Sequence, residues 1–105
     1  MDLETLNNDY FTGEWCLVRS TRDDEQRKPN INYRIGATTT LALETESGSG
    51  KFAAGSWSWK PEVSLFMLKT LSFMQMAKVE SATENGFVLG SKIGYTFERG
   101  VCDSK

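Results

Sequence analysis

Apolar and polar residues alternate along most of this chain with a period of two, the pattern of strands that turn one face to a core. Trp15 and Leu17 fall on one face and Cys16 and Val18 on the other. That predicts a first strand over roughly residues 13–20, with its Trp face inward. The stretch from Thr21 to Asn32 is charged and punctuated by Pro29-Asn30, which predicts a long loop or a short helical turn. Residues 33–45 read as the next strand, with Tyr33 and Ile35 before Gly36 and a β-favouring run from Thr38 to Thr45. Glu46-Ser47-Gly48-Ser49-Gly50 is a compact connection, alternation resumes from Lys51 to Lys60, and residues 38–60 therefore predict a hairpin. In its second arm Trp57 and Trp59 share one face, Ser56 and Ser58 the other, and Gly55 predicts a bulge or the close approach of another backbone.

The stretch from Val63 to Val79 supports two readings, because no Gly or Pro divides it. As strands, Val63, Leu65 and Met67 alternate with Ser64, Phe66 and Leu68, and Phe73, Gln75 and Ala77 alternate with Met74, Met76 and Lys78, with a tight turn at Lys69-Thr70. As a helix, Pro61 occupies the first turn and Val63, Phe66, Met67, Thr70, Leu71 and Met74 make one face. Propensity favours the helix, while the strands on either side favour strands here too. Thr83-Glu84-Asn85-Gly86 is a turn signal that starts the final hairpin. Phe87 to Ser91 and Ile93 to Arg99 form its arms, or one long strand bent between Gly90 and Gly94. Met1 to Asn8 reads as a polar arm and Asp103 to Lys105 as a short tail.

At 105 residues the chain makes one domain, since two cores would each be near the lower limit of independent stability. The formal charge of -2 supplies no basic field for a phosphate backbone, so nucleic acid is not an expected partner. Arg19, Arg22, Arg27, Lys28 and Arg34 lie close in sequence, but Glu14, Asp23, Asp24 and Glu25 are interleaved with them, as in a solvated mixed-charge loop. No apolar run approaches the roughly 18 to 20 residues that span a bilayer, and no membrane association is expected. Met1 to Asn8 lacks the basic and apolar regions of a secretory signal. As written the chain is expected in the cytoplasm, or in the periplasm or outside the cell if a signal has been removed.

There is no histidine, which removes the usual general base, histidine-dependent triads and most zinc sites. Gly48-Ser49-Gly50-Lys51 lacks the spacing of a phosphate loop and reads as a hairpin turn. Glu14, Glu44, Glu62, Glu80, Glu84 and Glu98 are scattered and expected on solvated outer faces rather than in a catalytic pair. No enzyme activity, cofactor or metal is expected.

The two ends of the ordered sequence match. Gly13-Glu14-Trp15-Cys16-Leu17-Val18 opens it and Tyr95-Thr96-Phe97-Glu98-Arg99-Gly100 closes it. This pairing of Gly-x-Trp with an aromatic strand ending in Arg resembles the small bacterial lipocalin-like domains of the calycin group. The resemblance implies adjacent first and last strands, with Trp15 packed under Arg99 as a structural brace, and a connection after the first strand that acts as a lid. The expected fold is a small antiparallel up-and-down β-barrel of about eight strands. With the terminal strands adjacent, a Cys16–Cys102 disulfide becomes conceivable, whereas the missing signal favours two reduced thiols.

The function expected of such a barrel is binding of a small apolar ligand, lined by Trp57, Trp59, Met67, Phe73 and Met74 and covered by Tyr33. An inverted strand register would exchange Met67 and Phe73 for their neighbours. The alternative is a filled barrel that serves as an inhibitor, adaptor or assembly subunit, with Val18, Val88 and Phe66 on a surface for a protein partner or a second copy.

Overall fold

The computed structural model describes residues 3–22, 25–27, 29–46, 48–71, 74–90 and 94–102. The alternating segments become β1 (Gly13–Arg22), β2 (Glu25–Arg27), β3 (Ile31–Ile35), β4 (Thr40–Glu44), β5 (Phe52–Lys60), β6 (Leu65–Thr70), β7 (Met74–Thr83), β8 (Gly86–Gly90) and β9 (Gly94–Arg99). From β3 onward each strand pairs antiparallel with the next, and β9 returns to β1 with Leu17 opposite Phe97. β2 pairs with the far end of β1 alone, so eight strands close an up-and-down barrel with no free edge along its length.

Two bulges keep the inward faces in phase. The β1–β9 register shifts at Val18, between Leu17 and Arg19, and the β7–β8 register shifts at Glu80, between Val79 and Ser81. An extra residue at such points bends and twists the strand, as closure requires. Gly55 meets a different need. A Cβ there would collide with the Lys69 carbonyl oxygen on β6, so the close backbone approach is possible only at glycine.

Of the ambiguous segment, Leu65–Thr70 and the residues from Met74 onward form strands. One 3-10 turn, Pro61–Val63, ends at Ser64 in the left-handed region with φ 52°, and the chain then enters β6. The predicted turn at Lys69-Thr70 is displaced: both residues remain in β6, with Lys69 opposite Met74. Parity is inverted as well. Phe66 and Leu68 are buried and face the core, as Thr70 does, while Met67 between them lies on the outer face opposite Met76. Phe66 therefore belongs to the core and not to an outer partner surface.

Residues 33–45 are likewise two strands and not one. The chain leaves β3 at Ile35, reverses with Thr39 at φ 61°, and closes with the Gly36 amide donating to the Thr40 carbonyl at 2.8 Å. The charged connection after β1 is partly strand, through β2 and the start of β3 at Ile31.

The largest departure from the sequence pattern is the N-terminal segment, which is a plug and not a polar arm. Leu3–Thr5 makes a 3-10 turn, and Asn8–Phe11 makes a single α-helical turn, α1, whose Asn7 cap accepts from the Tyr10 amide. Leu6 and Phe11 are buried, Phe11 completely. The Phe11 ring stacks on Phe66 at 4.7 Å and meets Trp59 at 5.0 Å and Phe87 at 5.3 Å. Polar residues between Leu3, Leu6, Tyr10 and Phe11 dilute the apolar signal, so the periodicity of this short piece is hidden.

Cys16 and Cys102 form a disulfide across 86 residues, with Cα atoms 5.0 Å apart, in place of the two reduced thiols favoured above. Cys16 lies outward on β1, and the chain after β9 crosses back to reach it.

Phe11→Ala should lower the unfolding free energy by about 3–5 kcal/mol in denaturant titrations, against less than about 1 kcal/mol for Met67→Ala on the outer face. Replacing both cysteines with serine should cost about 2–4 kcal/mol in the same assay, because the bridge closes most of the chain into one loop.

Candidate ligand cavity

The barrel interior is divided by side-chain size. At the end where the N-terminal segment enters, Trp15, Trp57, Phe11, Phe66, Phe87 and Phe97 are fully buried and form an aromatic floor. Each indole there has a fixed partner. Trp15 Nε1 donates to the Phe11 carbonyl at 2.8 Å, Trp57 Nε1 to Gly36 at 2.9 Å and Trp59 Nε1 to Leu6 at 3.1 Å. Arg99 seals this end from outside. Its guanidinium lies 4.2 Å over the Trp15 ring and donates to the carbonyls of Tyr10 at 2.8 Å and Glu84 at 3.2 Å.

Toward the other end the inward positions carry smaller or polar residues: Thr45 just after β4, Ala53 on β5, Thr70 on β6 and Gln75 on β7. A cavity of about 540 Å³ results. Its apolar wall comes from Ile31, Leu43, Ala53 and Met74, and its polar wall from Tyr33, Thr70, Gln75 and Tyr95. Tyr33 stands edge-on to Phe97, 5.0 Å between ring centres, at the boundary between floor and cavity. Burial, with a smaller contribution from neighbouring Tyr95, pushes the Tyr33 phenol far above its ordinary pKa, so it stays protonated at any physiological pH.

Of the residues expected to line a site, Tyr33 and Met74 reach this cavity. Trp57 and Trp59 do not line it. They sit in the floor at 2% and 8% exposure, because their cross-strand partners are Leu68 and Phe66 and the Phe11 ring occupies the space in front of them. Met67 is excluded by its outward parity, and Phe73 lies outside the described residues. Ile31, Leu43, Ala53, Thr70, Gln75 and Tyr95 were not expected. Tyr95 was accessible to pattern reasoning, since it shares a face with Phe97, and Gln75 shares one with Ala77.

Glu44 is the other correction, buried where a solvated outer-face carboxylate was expected. One oxygen accepts from the Asn32 backbone at 3.3 Å and side chain at 3.2 Å, and the second accepts from the Gly50 amide at 3.0 Å. Asn32 in turn accepts from the Cys102 amide at 2.7 Å, which ties the cavity rim to the disulfide. The Gly50 amide above all, with the Asn32 and Gly48 contacts, holds the Glu44 carboxyl below the usual range against the opposing effect of desolvation.

A lipocalin-like protein from Bacteroides uniformis ATCC 8492 superimposes on this chain with a TM-score of 0.71 at 13% identity, over 87% of this chain and 99% of that one. An uncharacterized protein from Bacteroides eggerthii DSM 20697 does so with a TM-score of 0.69 at 16% identity, over 85% and 98%. The fold is that of a small lipocalin-like β-barrel. No protein-family model and no curated protein matches the sequence.

Because the Glu44 pKa is lower folded than unfolded, its contribution to stability is complete above the unfolded value near 4.5 and is lost as pH falls through the folded value. Thermal unfolding followed between neutral and acidic pH should show this loss in the parent protein. Glu44→Gln should be less stable at neutral pH and should lose less on acidification.

Proposed function

We propose that this barrel binds one small, predominantly apolar molecule in the cavity above the aromatic floor, and that it does so without catalysis. The single observation that carries this is the division of the interior, filled by rings at one end and empty over about 540 Å³ at the other. That volume falls within the roughly 300–1,000 Å³ of pockets that enclose small molecules, and an apolar wall with a few polar groups is their usual composition. The absence of histidine from the chain agrees with binding rather than acid-base chemistry. Among the described residues no group of three or more His, Cys, Asp or Glu is placed to hold a metal. The Cys16–Cys102 disulfide favours an oxidising compartment over the cytoplasm.

A second reading has its own observation. Met76 is 54% exposed on the outer side of β7, with Met67 opposite it, and a second copy of the chain would cover such a patch. Light scattering over a concentration series separates the two, since a monomer at all concentrations removes the need for a covering copy.

The uncharged apolar fluorophore N-phenylnaphthylamine should bind with one-to-one stoichiometry and raise the thermal midpoint by mass action. Ala53→Phe, which places a ring in the cavity, should weaken it by about tenfold or more while the barrel stays folded, since ligand contacts and not the core are displaced. Failure of the probe to saturate the parent protein would remove the cavity as a ligand site.

A further inference from the structure

Gln75 enters the barrel at the mouth, on the same face of β7 as buried Ala77 and Val79. It lines the cavity, yet its amide nitrogen is enclosed and has no hydrogen-bond partner among the described residues. Buried amide donors are almost always paired, because leaving one unmade forfeits the water it gave up. An apolar residue would satisfy the packing here without that cost, as it does at the next two inward positions of the strand. Gln75 lines the cavity, so a turn of its side-chain amide would present this enclosed, unpaired donor to an acceptor that arrives with a ligand. The phenols of Tyr33 and Tyr95 stand on the same wall, and the Tyr33 hydroxyl keeps its proton.

The charge of the wall narrows the class. Among the described lining residues there is no Lys or Arg, and the charged member is Glu44, whose carboxylate is fixed by Gly50 and Asn32. A ligand carboxylate would give up its hydration with no cation to replace it and would meet a like charge in the wall. A carbonyl oxygen gives up far less and still accepts from an amide.

We propose that the cavity selects uncharged molecules bearing a carbonyl-type acceptor on an apolar body over the matching carboxylates, with Gln75 as the residue that reads the acceptor. The selection rests on the ligand site argued above.

The test is displacement of N-phenylnaphthylamine from the folded protein near neutral pH by methyl nonyl ketone and by decanoate, which have chains of similar length. The ketone should displace the probe at about tenfold lower concentration than decanoate. Gln75→Leu, still binding the fluorophore, should lose about fivefold or more in ketone affinity and little in decanoate affinity. Equal or better displacement by decanoate overturns the proposal, as does a Gln75→Leu protein whose ketone affinity is unchanged. If that variant does not fold, Gln75→Met replaces it, and the comparison of the two competitors on the parent protein decides alone. A fluorophore that never saturates is a different failure, since it removes the ligand site itself and the selection with it.

Discussion

The completely buried Phe11 ring is the contact on which the arrangement of this barrel depends. An eight-stranded barrel encloses enough space to be filled by its own side chains or to hold one small ligand. The strands here do not settle that alone: Phe66 reaches Trp57 at 5.9 Å and Phe87 at 5.6 Å, but the space in front of these rings and Trp59 is left for another side chain to fill. Phe11 enters from outside the sheet and meets all four, at ring separations between 4.7 and 6.1 Å. Its own carbonyl takes the Trp15 indole proton, and Leu6 beside it takes that of Trp59. The segment therefore supplies an apolar ring and the polar acceptors that buried indoles need, and buried tryptophan is tolerated only with such partners.

The seam between the first and last strands is reinforced at the same end. Arg99 covers Trp15 and reaches two carbonyls of the neighbouring turns, while the disulfide holds the chain after β9 against the outer face of β1. Beyond the Val18 bulge, toward the cavity, β1 and β9 continue as the backbone pairs Arg19 with Thr96, Ser20 with Tyr95 and Thr21 with Gly94. Tightly packed rings and cross-links thus lie together around the floor, and the mouth is framed by strand ends. Local opening free energies are lowest where buried apolar contacts are few, so entry of a molecule at the mouth need not disturb the core.

The fold was legible because its strongest signals are local. Alternation through Trp15 and Leu17, the Asn85-Gly86 turn and the matched ends each report on a few consecutive residues, and the barrel follows from them. What stayed hidden depended on contacts between distant residues. The parity of β6 turns on a reversal placed after Thr70 and not at Lys69-Thr70, and a one-residue slip moves Met67 out and Phe66 in. Glu44 looks like any solvated acid until the Gly50 amide and Asn32 are brought to it. The pairing of Cys16 with Cys102 needs the register of β1 and the path of the tail, neither of which spacing reveals.

Expecting the ligand beside the largest aromatic residues treats apolar bulk as if it made a pocket, and close packing reverses that expectation. Interiors reach near-crystalline density, so large rings that face one another exclude a ligand. Space survives where inward positions are small, as at Ala53 and Thr70, or polar, as at Gln75. The two halves therefore answer to different constraints. In the floor, loss of a ring leaves a void whose lining has nothing to touch. In the cavity wall, neighbouring side chains already face open space, and a change there alters which molecule fits more than whether the chain folds. Tyr33 stands between these regimes, its ring perpendicular to that of Phe97 and its hydroxyl protonated beside Tyr95. Through that residue the packing of the floor fixes the geometry that a ligand meets.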